Sequence, residues 1–213
     1  MLLLGLGGVG SAAFEALCRA GVGHITVVDG DAVDITNINR QILALTSTVG
    51  MRKTEAAVRR GRDINPEAEI LALDRFVTAE DVPSLGLSAY DFVLDAIDTV
   101  SCKLALAEAC EREGVPLVSC MGTGGKLYPE RLRLGDIYET SGCPLARVMR
   151  KELRRRGVGS LRVVWSPEEA SCADGAKFAK RGEAVKPGTV SFVPPAAGYL
   201  MAAAAIRALA DVG

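Results

Sequence analysis

The chain has 213 residues, 49% hydrophobic and 24% charged, enough to bury one full core, so a single domain over 1–213 is expected. The net charge of −1 excludes a global attraction to nucleic acid, and any such contact must be local. Six cysteines (Cys18, Cys102, Cys110, Cys120, Cys143, Cys172) form no C-x-x-C pair, which argues against structural zinc and for reduced thiols in a cytoplasmic protein.

Residues 1–10 read as an apolar strand running into the turn Gly5-x-Gly7-x-x-Gly10, with Gly8 inside it. This spacing brings bare amides and the positive end of a following helix against a phosphate. The helix spans Val9 to Ala20 and stops at Gly21-Val22-Gly23. A second strand, His24 to Val28, ends in Asp29, 19 residues past Gly10, where a dinucleotide fold places the carboxylate for a ribose hydroxyl. These features predict an adenine nucleotide on a Rossmann-like unit without separating NAD from ATP.

The next stretch separates them. Thr36-Asn37-Ile38-Asn39-Arg40-Gln41 follows directly, and Lys53 opens the next helix. A nicotinamide site holds its pyrophosphate mainly through backbone amides, whereas chemistry at phosphorus needs cations on the phosphate oxygens. The reading is ATP. Ile38 to Leu45 is expected to be a short helical turn, and 51–63 a mostly solvated helix ending before Asn65-Pro66.

Further strands are expected at Glu69–Leu73, Tyr90–Leu94 and Val115–Ser119, with a helix over Val100–Arg112. Asp98 follows the fourth strand and suits a Mg²⁺ ligand; it is also placed to cap the helix after it. The β-α alternation with apolar strands predicts an α/β fold, a doubly wound, mostly parallel sheet with helices on both faces. After Gly122-Thr123-Gly124-Gly125 the periodicity weakens, so 1–122 reads as the nucleotide-binding core and 123–213 as a C-terminal β/α extension on the substrate side. The extension should hold strands at Arg131–Leu134 and Leu161–Trp165, a loop over Asp136–Gly142, a helix over 144–156, a polar loop over 166–188 and a last helix within Val190–Ala210. Its apolar run Ala196–Ala210 is broken by Arg207 and is too short to span a membrane.

On helix 144–156, Arg147, Arg150, Lys151, Arg154 and Arg155 share one face, opposite Leu145, Val148, Met149 and Leu153. Such a face either tracks nucleic-acid phosphates or is simply solvated. Cys143 and Cys172 are expected to be the exposed thiols, and Cys18, Cys110 and Cys120 to lie in the core. His24, the sole histidine, reads as structural.

Gly-Leu-Gly-Gly-Val-Gly, Asp29-Gly-Asp31 and Asn37-x-x-Arg40-Gln41 together resemble the adenylating enzymes related to ubiquitin-activating enzyme, of the ThiF, MoeB and HesA type. Leu43 to Gly50, Asp63-Ile64-Asn65-Pro66, Phe76-Val77-Thr78, Leu94 to Asp98, Pro144 to Val148 and Val163 to Glu169 resemble the branch that dehydrates threonylcarbamoyladenosine in tRNA. The resemblance implies ATP-dependent cyclisation of that group next to the anticodon, through adenylation of its carboxylate.

It also implies site roles. Gly7, Gly8, Gly10, Asp29, Asp31, Asn37, Arg40, Gln41 and Lys53 would bind nucleotide, Asp98 would bind Mg²⁺, and Arg40, Lys53 and Asp98 would carry the chemistry. A tRNA on the basic face, a homodimer, a monovalent cation and a cysteine desulfurase or sulfur-acceptor partner belong to the same implication. The alternative is an adenylyltransferase for a ubiquitin-like sulfur carrier, against which the missing paired C-x-x-C motifs argue. The family usually carries a helical segment before the first strand, with an arginine reaching the partner's ATP site, whereas this sequence begins on the strand.

Overall fold

A computed structural model describes residues 1–170 and 188–211. The described residues form a seven-stranded sheet in the order β3-β2-β1-β4-β5-β7-β6. Its strands are β1 (Leu2–Leu4), β2 (His24–Val28), β3 (Glu69–Leu73), β4 (Val93–Asp95), β5 (Leu117–Cys120), β6 (Arg133–Asp136) and β7 (Arg162–Trp165). All pair in parallel except β6, which runs antiparallel along β7 and forms one edge of the sheet. Leu2, Leu3 and Leu4 are fully buried, as a central strand covered on both faces requires.

The helices are α1 (Gly8–Arg19), α2 (Lys53–Ile64), α3 (Val100–Glu113), α4 (Pro144–Arg156) and α5 (Val193–Leu209). One apolar cluster joins α1, α2 and α5 to one face of the sheet, and a second joins α3 and α4 to the other. The helices therefore lie on both faces, as the alternation predicts. Gly198 allows α5 to lie close on α1, since a Cβ there would stand 2.2 Å from the Val9 carbonyl oxygen. Pro194 and Pro195 sit in the first turn of α5, where a missing N–H costs nothing.

Three expectations are corrected. In place of a helical turn over Ile38–Leu45, a 3-10 turn covers Ile35–Asn37, irregular turns follow, and a second 3-10 turn forms at Thr46–Thr48. The Asp34 carboxylate accepts from the Thr36 amide and hydroxyl, and Asn37 Oδ1 accepts from the Asp34 amide, so the turn nucleates at Asp34. The helix over 51–63 is not mostly solvated: Lys53, Thr54, Ala56, Ala57 and Gly61 of α2 are buried. The loop over Asp136–Gly142 contains a 3-10 turn at Ile137–Glu139, and most of the expected 166–188 loop lies outside the described residues.

Candidate active site

An open cleft of about 540 Å³ lies at the C-terminal ends of β1, β2 and β4. The strand order reverses direction between β1 and β4, the place where ligands bind in open α/β sheets. The turn from β1 to α1 forms its floor. Gly5 has φ +89°, and Gly10 packs so tightly that a Cβ on it would lie 1.8 Å from the Gly5 carbonyl oxygen. Gly8 rests against Pro194 and the Arg40 backbone, whereas a Cβ on Gly7 would meet nothing within 4 Å. Gly7 caps α1 and lines the cleft, so the unpaired amides of the first helical turn sit at its wall.

Asp29 is nearly buried. Its Oδ2 accepts from the Leu6 amide at 2.7 Å and its Oδ1 from the Asp31 amide at 2.8 Å. The Lys53 ammonium, also buried, donates to Asp31 Oδ2 at 2.7 Å and lies 3.9 Å from Asp29 Oδ1. The Arg40 Nη1 donates to Thr36 O and Asn39 Oδ1, and its Nε and Nη2 have no partner among the described residues. Gln41 is 6% exposed, and its Oε1 is buried without a hydrogen bond. Asn37 and Gln41 both line the cleft beside Arg40.

Asp98 stands on the opposite wall, exposed to solvent. The cap of α3 is Thr99, so Asp98 is not the capping residue. It forms no ion pair among the described residues, whereas Asp29 and Asp31 share Lys53 and Asp34 holds its own turn. Among the described residues no group of three or more His, Cys, Asp or Glu could hold a metal. A lone carboxylate of this kind fits Mg²⁺ in its usual nucleotide setting, bound by one carboxylate, phosphate oxygens and water. The backbone amides and the cations fit a nucleoside triphosphate.

Sequence reasoning missed Arg75, Phe76 and Ile97, which also line the cleft. Phe76 is 68% exposed, and its ring fills the space where a Cβ on Gly30 would stand, 2.6 Å from its Cγ. Its loop is tied by Arg52, which donates to both Asp74 oxygens and to the Gly30 carbonyl. The signal was a bare glycine, Gly30, beside Asp29; which aromatic fills it depends on β3 pairing with β2.

The cleft, the glycine turn and the cations agree with one family, whose model matches residues 1–213. The chain belongs to the ThiF family. This ThiF-family chain is 41% identical over 210 residues to the tRNA threonylcarbamoyladenosine dehydratase of Bacillus subtilis, covering 93% of this chain and 82% of that protein. Crystal structures of the Escherichia coli enzyme of that name in complex with AMP and with ATP superpose with TM-scores of 0.88 and 0.85. Both are 36% identical; the alignments span 99% of this chain and 86% and 85% of theirs. A Pyricularia oryzae adenylyltransferase and sulfurtransferase is 35% identical over 149 residues, matching 69% of this chain and 30% of that protein. No helix among the described residues is long and apolar enough to cross a membrane.

Two expectations outside the cleft are corrected. Cys143 is not exposed: it caps α4, is 3% exposed and packs against Gly122. Cys172 lies outside the described residues. Burial pushes the thiols of Cys18 and Cys102 up to about 11 and those of Cys110 and Cys120 up to about 12. A thiol reagent at pH 8 should therefore leave all five described cysteines unmodified in the native protein and reach them after denaturation. More than one fast-reacting thiol per chain would contradict this.

The basic face of α4 is also divided. Arg150 turns inward to donate to the Thr140 carbonyl and hydroxyl, and Arg154 stacks 5.0 Å over the Tyr138 ring. Arg155 pairs with Glu152, whereas Arg147 and Lys151 are exposed without partners among the described residues. Val148 is exposed, and Ala146, Met149 and Leu153 are the residues that face the core.

Proposed function

We propose that this chain is an ATP-dependent dehydratase of threonylcarbamoyladenosine in tRNA, acting through adenylation of the threonyl carboxylate. The observation that carries the reading is the convergence of Arg40, Lys53 and Asp98 on a cleft at the strand switch point, in a chain so similar to dehydratases solved with ATP and AMP. The amides after Gly7, with Gly8 and Gly10 shaping the turn, cradle the phosphates. Asp29 holds the ribose, Phe76 covers the adenine, and Asn37 and Gln41 donate to the phosphates. Arg40 and Lys53 face the oxygens on which charge grows, Lys53 moving from Asp31 to do so. Mg²⁺ on Asp98 would neutralise phosphate charge and orient the leaving pyrophosphate.

A carboxylate oxygen of the substrate attacks the α-phosphorus and pyrophosphate departs, leaving an acyl-adenylate. A nitrogen or oxygen of the same side chain then attacks the acyl carbon, and AMP leaves with the carboxylate oxygen. The tethered nucleophile makes this closure fast without a protein nucleophile. Burial of all five described cysteines is consistent with that, and it disfavours the sulfur-carrier alternative, leaving only Cys172 for a desulfurase partner. AMP release should require tRNA bearing threonylcarbamoyladenosine, and AMP formed equally with unmodified tRNA would overturn the substrate assignment.

The 1–122 core and 123–213 extension act as one domain in this reading, since β5 and β7 pair across that boundary. The site of action is the cytoplasm. A second copy of the chain would cover the exposed Ile35, Ile38, Leu45 and Val49. Arg147 and Lys151 contact tRNA phosphates, while Arg150 and Arg154 contribute through the shape of α4. Arg147→Glu with Lys151→Glu should weaken tRNA binding and cut its salt dependence by about two counterions, with ATP affinity unchanged. An unaltered salt slope would place the tRNA elsewhere.

A further inference from the structure

The strongest unexplained feature is a buried ion pair directly beneath the loop that carries Asp98. Asp95 closes β4 and Lys103 lies one turn into α3, and both side chains are 0% exposed. Lys103 Nζ donates to Asp95 Oδ2 at 2.9 Å, to Ser119 Oγ at 3.1 Å and to the Cys120 carbonyl at 2.8 Å. Ser119 Oγ also donates to Asp95 Oδ2 at 2.6 Å. The other carboxylate oxygen, Oδ1, accepts from the Ile97 amide at 3.1 Å.

An ion pair this deep returns little net stability, because desolvating both charges costs about as much as their attraction supplies. An apolar pair of similar volume would fill the same space. The geometry supplies what an apolar pair could not. Ala96 to Asp98 have no regular structure between β4 and α3, yet all three line the cleft. The loop is held by the Ala96 amide on the Leu4 carbonyl, by Gly5 against Ala96, and by Asp95 through Ile97. Besides a long bond of 3.5 Å from the exposed Thr99 hydroxyl to Asp98 Oδ1, Asp95 is the tie that acts through a side chain, and Lys103 and Ser119 fix that side chain from below.

We propose that Asp95 and Lys103 are positioning residues for Asp98, holding the β4–α3 loop so that the Asp98 carboxylate faces the triphosphate. The inference rests on the proposed nucleotide site and extends it to residues that touch neither ATP nor substrate. Lys103 also bonds the end of β5, so the two strand ends on this side of the cleft are fixed through one ammonium. Without it the buried Asp95 carboxylate loses its cation and keeps only the Ser119 hydroxyl on Oδ2, so it turns from its seat and releases the Ile97 amide one residue from Asp98.

The test is calorimetric ATP binding to the full chain with Mg²⁺ and with a chelator, at a temperature where circular dichroism shows each variant folded. Wild type should bind ATP more tightly with Mg²⁺. Lys103→Met should reduce that Mg²⁺-dependent gain about tenfold. Its metal-free ATP affinity should change less than about twofold. Lys103→Arg should restore part of the gain. Ser119→Ala removes two hydrogen bonds, one to each member of the pair, and leaves both charges in place, so it should fold even if Lys103→Met does not, and should lose about threefold.

A full Mg²⁺ gain in Ser119→Ala, or in a folded Lys103→Met, would overturn the proposal and leave the pair a core feature. Equal loss with and without Mg²⁺ would also overturn it. Wild type failing to bind ATP would instead refute the nucleotide site, and this inference with it.

Discussion

Arg40→Ala should lower the rate of pyrophosphate release by about 10³-fold while leaving the fold intact. The size follows from where charge develops. As the α-phosphorus is attacked, negative charge moves onto the bridging and terminal oxygens of the leaving group. Arg40 stands at that wall with Nε and Nη2 uncommitted among the described residues. Among the described residues its side chain bonds only Thr36 and Asn39 of its own loop, so truncation should cost the fold less than about 0.5 kcal/mol. Arg40→Lys should recover little, because a point charge cannot reproduce the planar fork. The measurement is single-turnover pyrophosphate release at saturating ATP, paired with thermal unfolding. A loss under tenfold would move the chemistry away from this loop.

Gly10→Ala should destabilise the protein by about 3 kcal/mol, because the new methyl would overlap the Gly5 carbonyl and neither backbone can yield. For a chain of this size that is a fall of about 10 °C in Tm. Gly7→Ala is the informative contrast. Gly7 has φ −70° and open space around a Cβ, so its stability should stay within about 0.5 kcal/mol of wild type. That space belongs to the cleft, so ATP binding should weaken about tenfold, by about 1.4 kcal/mol. Thermal unfolding and ATP titration of the two variants separate the glycine that shapes the turn from the one that clears room for phosphate. Equal Tm losses in both would contradict the assignment.

Those two glycines illustrate what can be read from a sequence. The run from Gly5 to Gly10, the carboxylate after β2 and the Asn37-x-x-Arg40 hook are local patterns whose spacing dictates geometry. All of them line or shape the observed cleft. The β-α alternation is local too, and it carried the doubly wound sheet. The misreadings depended on partners distant in the chain. Arg150 turns away from the basic face because Thr140 lies within reach of its guanidinium. Cys143 is buried because α4 starts beside Gly122, at the end of a strand paired with β7. Phe76 reaches the cleft because β3 lies along β2, and Lys103 meets Asp95 across the β4–α3 turn with Ser119 supplied by β5. None of these contacts leaves a periodic trace.

The Asp34 turn is an intermediate case. Asp34 and Asn37 are close in sequence and form a reciprocal cap, so the signal was local. The helical turn expected over Ile38–Leu45 does not form, and the reciprocal cap instead sets a 3-10 turn just before it, at Ile35–Asn37.

In the proposed reaction the cleft joins a substrate carboxylate to the adenylyl group of ATP. The most direct measurement uses threonylcarbamoyladenosine-bearing tRNA with ¹⁸O in the threonyl carboxylate, turned over with ATP and Mg²⁺, and mass spectrometry of the AMP. Adenylation requires one carboxylate oxygen to leave on AMP, so the product should carry one ¹⁸O per molecule. AMP free of label, formed alongside cyclised tRNA, would rule out adenylation of that carboxylate.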